Sequence, residues 1–333
     1  MPHLPATAIL LCLALLSSAC RRDSADPTEA DTGAAATSSG APRKITLALN
    51  WFPEVEHGGY YAAAVHGYYA DAGLDVTILP GGPEAPVVPQ VASGSVTFGV
   101  ANADDVLFGR AQQAPVVAVF APLHTSPRCL IVHESSGIRE FTDLKNVTIA
   151  MSNARAFAHY LRKKLPLDGV RIVPYPGNVA QFLLREDYVQ QGYVFSEPFV
   201  IRGQGGDPRV LLLADLGFNP YTSVLVAHEK TLAEQPEMAS KMTAAVRRGW
   251  QKYLEDPVPT NERVHEENPE MGLDILAFGA EKIRPLVQRP DVSPDELGAM
   301  TLARWQTLLE QLVETEQIDA GKVEAGAAFK NLP

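Results

Sequence analysis

The segment Asn50-Trp51-Phe52-Pro53-Glu54-Val55-Glu56-His57-Gly58-Gly59-Tyr60-Tyr61 gathers an amide, carboxylates, an imidazole and several rings in one short stretch. Such a set suits the capture of a flat polar molecule. Trp51 or Tyr60 offers a face on which a planar ring can stack, and Phe52 adds apolar surface. Asn50, Glu56 and His57 supply directional hydrogen bonds. Pro53 stiffens the loop, and Gly58-Gly59 lets backbone approach a ligand closely or begins a helix without side-chain crowding. The competing use of Trp51 and Phe52 is to plug a core, since aromatic rings usually contribute buried area.

Further candidates follow at intervals. Asn102 precedes Ala103-Asp104-Asp105, where either aspartate is better placed to cap a helix than to touch a ligand. Asn153, in Met151-Ser152-Asn153, lies where a helix N-terminus could receive a polar or anionic group; the competing reading is that it serves only as the cap. Asn178 follows Pro176-Gly177, and Glu197 lies in Phe195-Ser196-Glu197-Pro198, so that an amide and a carboxylate could meet an amino group or cationic ring. Tyr221, after Phe218-Asn219-Pro220, either reaches the ligand or packs a hinge. The expected polar contacts are Asn50, Asn153, Asn178 and Glu197. Arg128 and Arg155 keep a small anion open as the ligand.

Covalent chemistry finds no support. The chain has no Gly-x-Ser-x-Gly elbow, and neither His57 nor His66 has a Ser or Cys at a recognised spacing. Its cysteines are Cys12, Cys20 and Cys129, with no Cys-x-x-Cys pair, so no metal site is expected. No catalytic residue and no cofactor are expected.

The elements that would position these residues alternate. Ile45, Leu47 and Leu49 interleave with Thr46, Ala48 and Asn50, which predicts a strand ending at the aromatic loop. A helix over Tyr60–Ala72 stops at Gly73, a strand spans Leu74–Leu79, a short helix holds Gln90 and Val91, and a third strand spans Val96–Val100. A second series starts near Phe141, with strands at Val147–Met151, Val170–Val173, Tyr193–Phe195 and Val210–Leu213 and a helix at Arg155–Lys164. Strands alternating with helices imply parallel sheets. Leu130–His133 is expected to carry the chain out to a second lobe and Ser223–Ala227 to bring it back. Beyond that, Met238, Met242, Val246, Trp250 and Tyr253 recur at helical spacing as a core stripe, and Ser293-Pro294-Asp295-Glu296 forms a capping box.

At 333 residues two α/β lobes are expected, one from 44–132 plus 224–333 with the C-terminal helices, the other from 133–223. A net charge of -11 without a basic run excludes nucleic-acid binding. Residues 1–20 contain an apolar run, Ala8–Leu16, too short to span a bilayer, followed by Ser17-Ser18-Ala19-Cys20. This resembles a bacterial lipoprotein signal, with Cys20 lipidated and the protein held at the periplasmic or extracytoplasmic face of the cell envelope. Residues 21–43, without a bulky apolar residue up to Pro42, read as a flexible tether. A monomer is expected.

The ordered set Leu49-Asn50-Trp51-Phe52-Pro53, His66-Gly67-Tyr68-Tyr69, Gly73-Leu74-Asp75-Val76 and Gly94-Ser95-Val96-Thr97-Phe98-Gly99-Val100 resembles the nitrate, sulfonate and thiamine-pyrimidine-precursor solute-binding proteins. Gly177-Asn178-Val179-Ala180-Gln181 and Ser196-Glu197-Pro198-Phe199 are similar to segments of the thiamine-precursor binders. The resemblance implies a periplasmic-binding-protein fold, two lobes joined by two crossings with the ligand between them, serving the permease and ATPase of an ABC importer. It implies a planar heterocycle, a thiamine pyrimidine precursor first, with flavins and small anions open. A ligand sensor for a membrane receptor is a further alternative. The same superfamily contains a thiamine-pyrimidine synthase, but its cofactor-binding lysine falls on Ala101 and its consumed histidine on Asp105, which disfavours an enzyme.

Overall fold

A computed structural model of the protein describes residues 41–83, 85–288 and 293–333. The expected signal over 1–20, Cys20 and most of the expected tether lie outside the described residues. The tether's last position, Arg43, already opens a strand.

The first lobe runs β1 (Arg43–Ala48), α1 (Gly58–Val65), α2 (Tyr68–Asp71), β2 (Leu74–Leu79), α3 (Val87–Ser93), β3 (Phe98–Ala101), α4 (Ala103–Ala111) and β4 (Val116–Phe120). In β1 the alternating Ile45 and Leu47 are buried, as the period-two pattern requires. Strand β4 shows no alternation because all five of its residues are buried, a continuous apolar run covered on both faces. The helix expected over Tyr60–Ala72 is broken into α1 and α2, because Gly67 adopts left-handed backbone at φ +73°.

The second lobe follows with β5 (Arg128–His133), β6 (Thr148–Ala150), α5 (Ala156–Lys164), β7 (Arg171–Val173), α6 (Ala180–Leu184), β8 (Tyr188–Tyr193), α7 (Glu197–Gly203) and β9 (Pro208–Leu212). Strand β8 ends at Tyr193, the first residue of the expected Tyr193–Phe195, and beyond it the chain turns, with the Ser196 amide donating to the Tyr193 carbonyl at 3.0 Å. The chain then returns as β10 (Val224–His228) and ends in α8 (Glu229–Glu234), α9 (Pro236–Glu255), α10 (Val258–Glu267), α11 (Leu273–Val287) and α12 (Leu302–Glu314). The Ser293 capping box forms but closes only a short 3-10 turn, Pro294–Glu296.

Each lobe is built on a five-stranded sheet, in the order β2-β1-β3-β10-β4 for the first and β7-β6-β8-β5-β9 for the second. The two share one plan. Four strands run the same way, and the fourth place in the order is taken by an antiparallel strand that has just crossed from the other lobe, β10 in the first sheet and β5 in the second. Parallel strands end at one edge of their sheet, and the loops after β1, β3, β6 and β8 gather there.

The outward crossing therefore lies at 121–127 and not at Leu130–His133, which is inside β5 and paired with both β8 and β9. Residues 128–132, expected in the first lobe, belong to the second sheet. The return crossing occupies 213–223, and the two run side by side. Leu123 and Thr222 form an antiparallel bridge, and the Ser126 amide donates to Asn219 Oδ1 at 2.8 Å. Helix α12 braces them, with Arg304 Nε donating to the Asn219 carbonyl at 3.0 Å.

The stripe Met238, Met242, Val246, Trp250 and Tyr253 of α9 is buried as expected. Helix α9 lies so close to α1 that a Cβ on Gly249 would sit 2.1 Å from the Gly59 carbonyl oxygen, and one on Gly59 would sit 2.1 Å from the Trp250 ring. Gly58-Gly59 thus serves helix packing, not approach to a ligand. Among the described residues no helix is long and apolar enough to cross a membrane.

Candidate functional site

Ser223, the last residue of the return crossing, holds left-handed backbone at φ +55°, an uncommon conformation for a residue with a Cβ. Three hydrogen bonds fix it there. Its amide donates to Asn102 Oδ1 at 3.3 Å, its hydroxyl donates to Glu56 Oε2 at 2.7 Å, and its carbonyl accepts from the Tyr60 hydroxyl at 2.7 Å. His57 Nε2 meets Asn50 Oδ1 at 3.0 Å and Glu56 Oε1 at 3.6 Å. The loop after β1, the start of α4 and the return crossing are thereby locked into one buried network.

Burial raises the Glu56 carboxyl to about 7, against the opposing pull of the Ser223 hydroxyl. It lowers the His57 imidazole to about 3, so the ring is neutral at physiological pH. Glu54 is also buried, and desolvation followed by the charge of Glu56 holds its carboxyl well above the usual range.

Beside this network lies a narrow cleft, part of it open to solvent. The first lobe contributes Asn102 and Asp104, the crossings Ser126, Phe218 and Thr222, and the second lobe Arg128, Arg155, Phe157 and Tyr193. The Arg128 guanidinium sits 4.8 Å from the Phe157 ring centre and 4.7 Å from that of Tyr193, and donates to the Tyr193 hydroxyl at 2.9 Å. Burial opposes its charge, but Tyr193, Asp104, Glu56 and Glu197 together outweigh that and raise it further above its ordinary value. Across the cleft, burial and then the charge of Asp105 lift the Asp104 carboxyl to about 7. Arg155 Nη1 meets Asp105 Oδ1 at 3.2 Å, an ion pair from one lobe to the other.

The expected site residues divide. Asn102 lines the cleft and also caps α4 in a reciprocal box with Asp105. Asn50, Glu56 and His57 belong to the adjoining network. Trp51 and Phe52 are 39% and 47% exposed and pack edge to face on each other at 5.5 Å, so neither plugs the core. The remaining expectations are corrected. Tyr60 is fully buried against Trp250 and cannot offer a stacking face. Tyr221 is a hinge residue, its hydroxyl accepting from the Thr301 amide at 3.0 Å and its ring lying under Arg304.

Asn153 is exposed and accepts from Arg162 Nη1 at 3.2 Å. Asn178 closes its own turn by accepting from the Ala180 amide at 3.0 Å. Glu197 is consumed within the second lobe, accepting from the Tyr193 amide at 2.7 Å and the Tyr175 hydroxyl at 3.0 Å. None of these three side chains forms the cleft wall described above.

Phe157 and Tyr193 were not among the expected contacts, Arg128 and Arg155 were named only for a small anion, and Asp104 was expected only to cap. The signal for Arg128 was its place as the first residue of the strand that enters the second lobe. Tyr193 was signalled by its position at the end of a strand in the same sheet.

Residues 54–259, more than half of the chain, match the sequence profile of the family described as NMT1/THI5 like. The riboflavin-binding protein RibY of Chloroflexus aurantiacus is 27% identical over 336 residues, covering 95% of this chain and 94% of its own length. The formylaminopyrimidine-binding protein of Halalkalibacterium halodurans is 24% identical over 254 residues, 73% of each chain. A 4-amino-5-hydroxymethyl-2-methylpyrimidine phosphate synthase of Saccharomyces cerevisiae is 27% identical over 254 residues, 70% of this chain and 73% of its own. Among solved structures, the periplasmic aliphatic sulphonate binding protein SsuA from Escherichia coli superposes with a TM-score of 0.67 at 16% identity, over 88% of this chain and 93% of that one. The fold is that of the periplasmic binding proteins.

Proposed function

Since the chain belongs to the NMT1/THI5-like family, we propose that it is a solute-binding protein that captures a planar nitrogen heterocycle of the flavin type and delivers it to the permease and ATPase of an ABC importer. The observation that carries this reading is the make-up of the cleft. Phe157, Tyr193 and Phe218 line it together with one buried acid, Asp104, and one half-buried cation, Arg128. The rings give the cleft an apolar wall, in which Tyr193 is the half-buried face, and the opposite charges provide direction.

A nitrate or sulfonate fits this composition poorly, because Asp104, to the extent that it is ionised, opposes an anion in the space where Arg128 would attract it. A flavin is favoured over a pyrimidine precursor by the breadth of the match to RibY, 95% of this chain against 73% for the formylaminopyrimidine-binding protein. The pyrimidine precursor is the second reading. Binding without catalysis is supported by Ala101, buried in β3 where the resemblance puts the synthase's lysine, and by Asp105, which is engaged by Arg155. The leader with Cys20 supports attachment at the outer face of a bacterial membrane.

A thermal-shift panel of the protein with riboflavin, 4-amino-5-hydroxymethyl-2-methylpyrimidine, nitrate and methanesulfonate tests this. A ligand at one hundred times its dissociation constant stabilises the native state by about 2.7 kcal/mol. Riboflavin is expected to raise the melting temperature. A rise with the anions alone would overturn the heterocycle reading.

A further inference from the structure

Phe195 belongs by sequence to the second lobe, between β8 and α7, yet it is fully buried in the core cluster that contains Val55 of the first lobe and Leu276, Ala280 and Ile283 of α11. A glycine makes room for it. At Gly279 of α11 a Cβ would lie 3.1 Å from the Phe195 carbonyl oxygen and 2.8 Å from Val55 Cγ1. The same helix meets α7 through Phe278 and Phe199, whose ring centres are 5.2 Å apart. At its far end the Leu286 carbonyl accepts from the His124 and Thr125 amides of the outward crossing, at 2.8 and 3.1 Å. Helix α11 is thus anchored in the first-lobe core and at the hinge, and it carries a seat for the second lobe.

What occupies the seat is joined stiffly to the cleft wall. The Glu197 carboxylate accepts from the Tyr193 amide at 2.7 Å and the Tyr193 carbonyl accepts from the Ser196 amide at 3.0 Å, which closes 193–197 into one turn. The Phe195 and Tyr193 rings pack edge to face at 5.3 Å, and the Tyr193 hydroxyl accepts from Arg128 Nη2 at 2.9 Å. Packed groups pass a displacement on instead of absorbing it. A shift of Phe195 therefore moves Tyr193 and, with it, Arg128.

We propose that Phe195 and Gly279 are positioning residues for ligand capture: the second lobe reaches its closed angle only with Phe195 home against Gly279, and that seating aims Tyr193 and Arg128 at the cleft. The link to capture rests on the binding-protein reading above, whereas the seat itself does not.

The test compares Gly279→Ala with Gly249→Ala in the full chain. Both are helical glycines in tight contact, the first between the lobes and the second between α1 and α9 inside one lobe. Alanine favours the helix at either position, so Gly279→Ala keeps α11 while wedging the seat, a milder change than emptying it with Phe195→Ala. Small-angle scattering of the unliganded chains, at temperatures where a melt shows each folded, is expected to give a larger radius of gyration for Gly279→Ala and an unchanged one for Gly249→Ala. Riboflavin is expected to bind Gly279→Ala about 10-fold or more weakly and Gly249→Ala within about twofold of the unaltered chain. An unchanged radius for Gly279→Ala would overturn the seat. A larger radius with unchanged riboflavin affinity, or an equal loss of affinity in both variants, would overturn the positioning role. Failure of riboflavin to bind the unaltered chain would remove the proposed ligand, and the radius comparison would still decide the seat.

Discussion

Ser223 shows how a single residue can be held against its own backbone preference. Its left-handed conformation is maintained by bonds from its amide, hydroxyl and carbonyl, and the hydroxyl is also the partner of buried Glu56. Ser223→Ala is expected to lower stability by about 1–3 kcal/mol, because it leaves a buried carboxyl without its donor. Denaturant midpoints with an unchanged slope would show it. Titration at this site gives a second expectation. Glu56 and Asp104 keep protons in the folded chain up to about pH 7 that the unfolded chain has released by about pH 5, so their contribution to stability is lost as pH rises through 7. His57 acts in the opposite sense. Its folded value near 3 lies below the unfolded value of 6.5, so stability is lost as pH falls from 6.5 towards 3. Glu56→Gln should flatten the loss between about pH 4.5 and 7, and chemical denaturation across that range checks it. At this scale the sequence was partly legible. Asn50, Glu56, His57 and Asn102 were identified from their place after strands, but whether an amide or carboxylate faces a cleft or its own backbone is decided by local turns. Asn178 and Glu197 were lost to that distinction.

Among the elements, β1, β2 and α9 follow directly from alternation and helical spacing. Strand β4 escaped because a strand buried on both faces has no polar partner to alternate with. Strand β5 was seen as apolar but taken for a crossing, since pairing with β8 and β9 is a long-range fact that no local pattern carries. The glycines after the aromatic loop were noticed for the right property, closeness of approach, and assigned the wrong partner. Helix α9, not a ligand, comes up to them. Gly249→Ala is therefore expected to destabilise by about 1–3 kcal/mol or more through overpacking against the Gly59 carbonyl, despite the higher helix propensity of alanine. A thermal melt decides this, and an unchanged or raised melting temperature would mean that α1 and α9 are not packed as described.

For the whole molecule, two lobes of one plan joined by two crossings were legible from the strand–helix rhythm, while the hinge had to be located by the bonds between 121–127 and 213–223. The lobes meet across the cleft through Arg155 and Asp105 and again through Phe199 and Phe278, whose ring centres are 5.2 Å apart. Arg155→Ala removes one clasp. Because that pair is partly exposed, the cost is expected to be at most about 1 kcal/mol, a drop in ligand affinity of up to about fivefold. Small-angle scattering would show a larger radius for the unliganded variant. The central claim is that the cleft takes a flat heterocycle. Isothermal calorimetry of the protein with riboflavin tests it most directly. The account expects a single saturable site, with a negative heat-capacity change from burying the ring among Phe157, Tyr193 and Phe218, weakened by Arg128→Lys. No heat with riboflavin or 4-amino-5-hydroxymethyl-2-methylpyrimidine, together with stoichiometric binding of methanesulfonate, would contradict it.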